Sequence, residues 1–253
     1  MSAAAWAVVD RLSTSIRELV GDDLVALYVH GSLVTDGFVE GKSDLDLLGI
    51  VGHALDGEQV DRLLGEFESN LVTMAYDADF RIVTTAVALA PSAPGWTPTL
   101  AHELQVRPTS GEPLRAIRGP ALEPDLVVEL SQVRTWGWAL VSPEPSELIG
   151  AVTDEQVVAV GDGHLARWLA IPFDPRVDEL MVFTACRVWR FAETGEHVSK
   201  ADAASWVLAQ RPDLEVVAQA LARRRGDDGV ITAEGVKELL TTVRQNLARQ
   251  APR

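Results

Sequence analysis

The sequence predicts an α+β protein in two parts, a mixed N-terminal domain over residues 1–145 and an all-α domain over 146–253. Three observations carry this reading. The chain up to residue 89 reads as helix, strand, strand, helix, strand; seven of the thirteen prolines fall between residues 91 and 124; and from Asp125 onward apolar residues recur at helical spacing.

In the first part, Val8, Val9, Leu12, Ile16, Leu19 and Val20 line one face of a predicted helix over 4–20, which Gly21 ends. Leu24 to Val29 is an apolar run of strand length. A loop containing Gly31, Gly37 and Gly41 leads to a second strand over 44–51, whose first half alternates aspartate and leucine. Val60, Leu63, Leu64 and Phe67 predict a helix over 58–70, and the Val- and Thr-rich run 80–89 predicts a third strand. The proline-rich stretch 91–124 is expected to be largely irregular. Helices are then predicted over 125–141, 154–169, 176–193, 200–210, 213–225 and 232–250, with Thr153 and Ser199 as N-caps and Gly195 and Gly226 as stops.

Charge and composition narrow the function. Twenty-two basic against 37 acidic residues give a formal net charge of −15, which argues against a nucleic-acid-binding face and suits a cationic or metal-escorted ligand. A single cysteine, Cys186, excludes an internal disulfide framework and a cysteine-based zinc site, and its apolar neighbours mark it as a core residue. No histidine pair has metal-ligand spacing. The N-terminal residues lack the basic start of a signal peptide, and no apolar run is long enough to span a bilayer. The expectation is a soluble, cytoplasmic protein with no membrane partner.

The chemistry concentrates in one block: Tyr28-Val-His-Gly31-Ser32, eleven further residues, then Asp44-Leu45-Asp46-Leu47. Two positions apart on a strand, Asp44 and Asp46 face the same side, and two carboxylates so close repel unless a cation lies between them. Mg²⁺ is the natural choice, because it takes hard oxygen ligands and keeps positions open for phosphate. Gly31 and Ser32, directly after a strand, bring backbone N–H groups and a hydroxyl close to a phosphate.

This block resembles the signature of the nucleotidyltransferase superfamily, and it implies a polymerase-β-like N-terminal domain. Thr184-Ala-Cys-Arg187-Val-Trp189, then Thr194-Gly195, then Ser199-Lys200 through Trp206, is similar to the helical domain of the aminoglycoside (3'')(9) adenylyltransferases, the streptomycin and spectinomycin resistance enzymes. Weaker similarity runs through Trp96 to Gln105 and Ala139 to Pro143; the resemblance covers roughly residues 24–226. It implies ATP and Mg²⁺ in a cleft between two domains, with Asp44 and Asp46 as metal ligands. By the same resemblance Ser32, Ser43, Arg187 and Lys200 contact the triphosphate. Read as residues alone, Arg187 is a helix-surface cation and Lys200 a residue of a helix's first turn.

The sequence departs from the family at several positions. The family's third-strand glutamate, which helps bind metal and takes the acceptor's proton, falls on Thr84 when counted back from Trp96 without a gap, and threonine cannot take that proton at neutral pH. Glu103 and Asp79 are the alternative carboxylates, with Asp77 behind them. The family's streptomycin-stacking tryptophan aligns with Thr109. Its acidic drug contact falls near Val177, beside Asp178 and Glu179, and Arg223-Arg224-Arg225 reads as a solvated helix end. The functional expectation is an ATP- and Mg-dependent adenylyltransferase, monomeric, acting on a hydroxyl of a small cationic acceptor such as spectinomycin or streptomycin. The alternative is a nucleotide-binding homologue that has lost transfer activity.

Overall fold

The computed structural model describes residues 2–35, 37–109 and 111–250, without the side chains of Glu112 and Pro113. The chain forms two compact units, Met1–Val152 and Thr153–Arg253. The first holds a six-stranded mixed sheet of order β5-β4-β3-β2-β1-β6, with β1 at Leu24–His30, β2 at Leu45–Val51, β3 at Ala78–Thr84, β4 at Thr99–Arg107, β5 at Glu112–Leu122 and β6 at Trp138–Val141. Only β2 and β3 run parallel; the other pairs are antiparallel.

Alternation along the strands sorts the side chains onto two faces. Leu27, Val29, Leu45, Leu47, Phe80 and Ile82 bury one face against helices α1 (Ala3–Val20) and α2 (Gly57–Met74). The helices supply the matching stripes: Val8, Leu12 and Ile16 on α1, and Val60, Leu63, Leu64 and Phe67 on α2. Phe67 stacks on Phe80 at 5.2 Å. The opposite face carries Ala26, Tyr28, Leu48, Ile50 and Val83, which pack with α4 (Leu126–Trp136) through Leu126, Leu130 and Val133. That packing covers the apolar part of the face; its polar part continues through His30, Asp46, Asp79, Arg81 and Glu103.

Three expectations need correction. The proline-rich stretch contains the two long strands β4 and β5, because Pro98, Pro108 and Pro124 flank strands and Pro113 and Pro120 lie on β5, an edge strand whose outer N–H groups need no partner. The run 80–89 is split: β3 ends at Thr84 and a short helix, α3 (Thr85–Leu89), follows. The predicted helix over 125–141 is α4 followed by β6, which pairs with β1 beyond Gly137. A short α5 at Pro145–Leu148 completes this unit.

The second unit is all helical, with α6 at Asp154–Ala170, α7 at Asp178–Thr194, α8 at Lys200–Gln210, α9 at Glu215–Arg225 and α10 at Ala233–Gln250. Thr153 caps α6 in a capping box with Gln156, Ser199 caps α8, and Gly195 and Gly226 close α7 and α9 in left-handed conformations. Leu165, Met181, Phe183, Cys186, Trp189, Val207, Leu240 and Val243 form its core. Burial pushes the Cys186 thiol pKa up, so it remains an inert core residue. Gly161 permits the close approach of α6 to α7, since a Cβ there would stand 2.5 Å from Val188 Cγ2. No helix among the described residues is long and apolar enough to cross a membrane.

Candidate active site

The polar face of the sheet begins where β1 ends. His30 pairs with Asp46 across β1 and β2, and Asp46 pairs with Asp79 across the parallel β2 and β3. Asp44 lies two residues before Asp46, so period-two alternation returns its carboxylate to the same side. Oxygens of Asp44, Asp46 and Asp79 lie within 4.8 Å of one another, and all three residues are partly exposed. Among the described residues this is the one group of three or more metal-ligating side chains.

Electrostatics show how strongly the three acids repel one another. Burial, then the Asp44 charge, pushes the Asp46 pKa up to about 8, with Asp79 and Glu129 adding to the rise and His30 opposing it. Burial also raises Asp79, against the opposing pull of Arg107. Three carboxylates held this closely call for a cation, and a divalent ion with hard oxygen ligands fits the donor set. The turn after β1 is built for the same centre. Gly31 has φ +68°, and a Cβ on it would lie 2.0 Å from Asp46 Oδ2, so any larger residue would displace the carboxylate. Beside it the Ser32 hydroxyl is buried with no hydrogen-bond partner among the described residues, as a hydroxyl awaiting a ligand oxygen would be. Ser43 is partly engaged: its Oγ accepts from the Val39 N–H at 3.0 Å, closing the loop that leads into β2.

The third carboxylate is therefore Asp79, not the position reached by counting from Trp96. Thr84 lies five residues further along β3, about 16 Å from Asp79 at strand spacing, opposite Val51 at the far end of β2. The signal was present in the sequence: Asp79 and Arg81 are the two charged residues, alternating through a strand that is otherwise apolar up to Thr84.

Glu103, expected as a candidate base, stands elsewhere. It is opposite Arg81 on β4, 6% exposed, and accepts from Arg81 Nε at 2.7 Å. The same guanidinium donates through Nη1 to Glu129 Oε2 at 2.8 Å, and Glu129 Oε1 lies 3.1 Å from His30 Nε2. Glu103, Arg81, Glu129 and His30 thus form a largely buried chain of alternating charge on the same face as the carboxylates. Glu129 falls below the usual carboxylate range because the His30 hydrogen bond and the Arg81 charge outweigh its burial; His30 rises because Glu129 outweighs its own burial. Sequence reasoning missed Arg81 and Glu129, since nothing local marks a helix glutamate as the partner of a strand arginine.

Asp77 is engaged as well, accepting from Thr109 N at 2.9 Å and from Thr109 Oγ1 at 2.6 Å. The position aligned with a stacking tryptophan is thus a short polar residue tied to its neighbour strand.

In the helical unit, Arg187 lies on α7 and Lys200 opens α8. Both are partly exposed. His197 lies between them in sequence and packs against the Phe191 ring at 4.5 Å, and burial followed by the Arg187 charge pushes its pKa down to about 4. A cation in the first turn of α8 adds to the positive end of the helix dipole, which favours an anion there. Asp178 and Glu179 share one partner: Arg223 reaches Asp178 Oδ2 at 2.7 Å and Glu179 Oε1 at 3.1 Å. Asp178 is 3% exposed, while Glu179 is partly accessible. The triple-arginine run is thus more than a solvated helix end, since Arg224 also lies over the Phe183 ring at 5.9 Å.

A mixed sheet with an Asp-x-Asp strand, a third carboxylate beside it and an appended helical bundle defines the nucleotidyltransferase class. Within that class, residues 147–249 match the family model described as the aminoglycoside adenylyltransferase C-terminal domain. The chain is 27% identical over 215 residues to an aminoglycoside (3'')(9) adenylyltransferase of Klebsiella pneumoniae, covering 81% of this chain and 82% of the relative. It is 27% identical over 221 residues to a spectinomycin 9-adenylyltransferase of Staphylococcus aureus (83% and 80% covered). Among solved structures, a spectinomycin adenyltransferase from Enterococcus faecialis, crystallised with ATP and spectinomycin, superposes with a TM-score of 0.74 at 16% identity, covering 96% of this chain and 99% of the other. The resemblance read from the sequence is thereby borne out, as is the α+β fold with its helical C-terminal domain. The fold, the family model and the names of the relatives agree on the enzyme class, a nucleotidyltransferase.

Proposed function

We propose that the protein is an ATP- and Mg-dependent adenylyltransferase that moves AMP onto a hydroxyl of an aminocyclitol or aminoglycoside, acting as a monomer in the cytoplasm. The convergence of Asp46 on β2, Asp44 just before it and Asp79 on the adjacent β3 carries this reading. When bound, Mg²⁺ would neutralise phosphate oxygens and orient the triphosphate for in-line displacement. Asp44, Asp46 and Asp79 would hold it. The Gly31-Ser32 turn would receive phosphate oxygens, with Ser43, Arg187 and Lys200 as further triphosphate contacts by the family's pattern. Asp79, the third carboxylate of the cluster, would take the proton as the acceptor oxygen forms its bond to the α-phosphorus. The bond from the α-phosphorus to the bridging oxygen breaks, and pyrophosphate leaves.

Thr109 in place of a stacking aromatic favours spectinomycin over streptomycin. Of the two acidic residues expected to meet a cationic acceptor, Glu179 is the better placed, because Asp178 is buried beneath Arg223. The reading as a nucleotide-binding homologue without transfer activity loses its motive once Asp79 supplies the third carboxylate. The deciding assay measures pyrophosphate release from ATP and Mg²⁺ with spectinomycin or streptomycin. Release with spectinomycin, exceeding that with streptomycin, is expected. Nucleotide binding with no release from either acceptor would return the non-catalytic homologue to the front.

A further inference from the structure

The carboxylate cluster already contains a cation of the protein's own. Arg107, the last residue of β4, places Nη2 2.6 Å from Asp79 Oδ1 and 3.6 Å from Asp44 Oδ2. Its side chain is 20% exposed, so the pair is shielded from bulk water on most sides. Asp46 has no ion-pair partner among the described residues, so the guanidinium serves two of the three acids and leaves the third.

Arg107 is held there by its surroundings. The β4–β5 pairing is irregular between Gln105 and Arg107, a shift that re-aims the strand's last side chain. Two residues on, Thr109 is tied to Asp77 by its backbone N–H and its hydroxyl, which fixes the chain leaving β4 against the segment entering β3. The charge-assisted bond to Asp79 is short and directed, the strong kind of hydrogen bond.

We propose that Arg107 is a resident counter-ion that competes with the divalent ion for Asp44 and Asp79, holding the acids together when no ion is bound and setting the concentration at which one enters. An ion seated among these oxygens would meet the guanidinium that is hydrogen-bonded to Asp79 and lies 3.6 Å from Asp44, and two cations so close repel one another. Arg107 is on this view a positioning residue that acts through Asp44 and Asp79. The proposal rests on reading the cluster as a divalent-ion site, and its test separates the two.

The experiment is a titration of the metal-free full-length protein with Mn²⁺ alone, free ion being followed by electron paramagnetic resonance. Arg107→Gln is expected to bind Mn²⁺ about tenfold more tightly than the unaltered protein, the effect of removing one charge-assisted hydrogen bond that the ion must break. Arg107→Lys, which keeps the charge, is expected to stay within about threefold of the unaltered protein. Asp46→Asn is expected to lose most of the affinity. If Arg107→Gln binds no more tightly while Asp46→Asn loses affinity, the site reading stands and the role of Arg107 is overturned. If Arg107→Lys tightens binding as much as Arg107→Gln does, charge competition is wrong. If the unaltered protein and all variants fail to bind Mn²⁺ at millimolar concentration, the site reading fails and takes the proposal with it.

Discussion

Replacing Asp46 by asparagine is expected to abolish nucleotidyl transfer while making the metal-free protein more stable. Loss of activity follows from removing the middle carboxylate of the cluster proposed to hold the ion, for which the amide is no substitute. The gain in stability follows from linkage. The Asp46 pKa is pushed up to about 8 in the fold against an ordinary 3.8, so the native state binds the proton more tightly than the unfolded chain does. Its effect is therefore least harmful below the unfolded value, and stability falls as pH rises from there through about 8. Asparagine carries no charge to bury, so at pH 8 in the presence of a chelator Asp46→Asn is expected to be more stable by about 2 kcal/mol. Urea unfolding checks this, and added Mg²⁺ should stabilise only the unaltered protein. A variant that is inactive and also less stable in chelator would show that Asp46 holds the fold together and does not oppose it.

Glu129→Gln is expected to act in the opposite sense, costing about 3–5 kcal/mol of stability. Glu129 is 7% exposed and joins His30 at 3.1 Å to Arg81 at 2.8 Å. The amide leaves a largely buried guanidinium with Glu103 as its remaining ion-pair partner among the described residues and deprives the imidazole of the group that keeps it protonated. The pH dependence distinguishes this from a packing defect. Glu129 is depressed below the usual carboxylate range, so its contribution is full above its unfolded value and is lost as pH falls through the folded one. His30 is raised, so its share is full below its unfolded value and is lost as pH rises through the folded one. The stability difference between the two proteins should therefore be widest near pH 5–6 and narrow below about pH 4. A difference that stays constant across that range would point to packing alone.

The features written in local pattern were legible in the sequence. Alternation placed Asp44 and Asp46 on one face, helical spacing and cap residues found the five long helices of the second unit, and Gly31 falls where its φ of +68° and its contact with Asp46 demand glycine. What depends on cross-strand register was not. A count along the chain reached Thr84, whereas the parallel pairing of β2 with β3 selects Asp79, because sheet neighbours are set by hydrogen-bond register and not by distance from a downstream tryptophan. The prolines misled for a related reason: they mark boundaries and an edge strand here, and edge position is a property of the whole sheet. Arg81, Glu129 and Arg107 are ordinary charged residues in the sequence, and only the meeting of β1, β3, β4 and α4 turns them into buried partners.

The most direct measurement is a manganese anomalous difference map from crystals grown with Mn²⁺ and a non-hydrolysable ATP analogue. The structure predicts an ion coordinated by Asp44, Asp46 and Asp79 at about 2.1–2.2 Å, with the analogue's phosphates completing its shell beside Gly31 and Ser32. An ion seated away from these residues, or a nucleotide bound while the three aspartates contact neither metal nor phosphate, would contradict it.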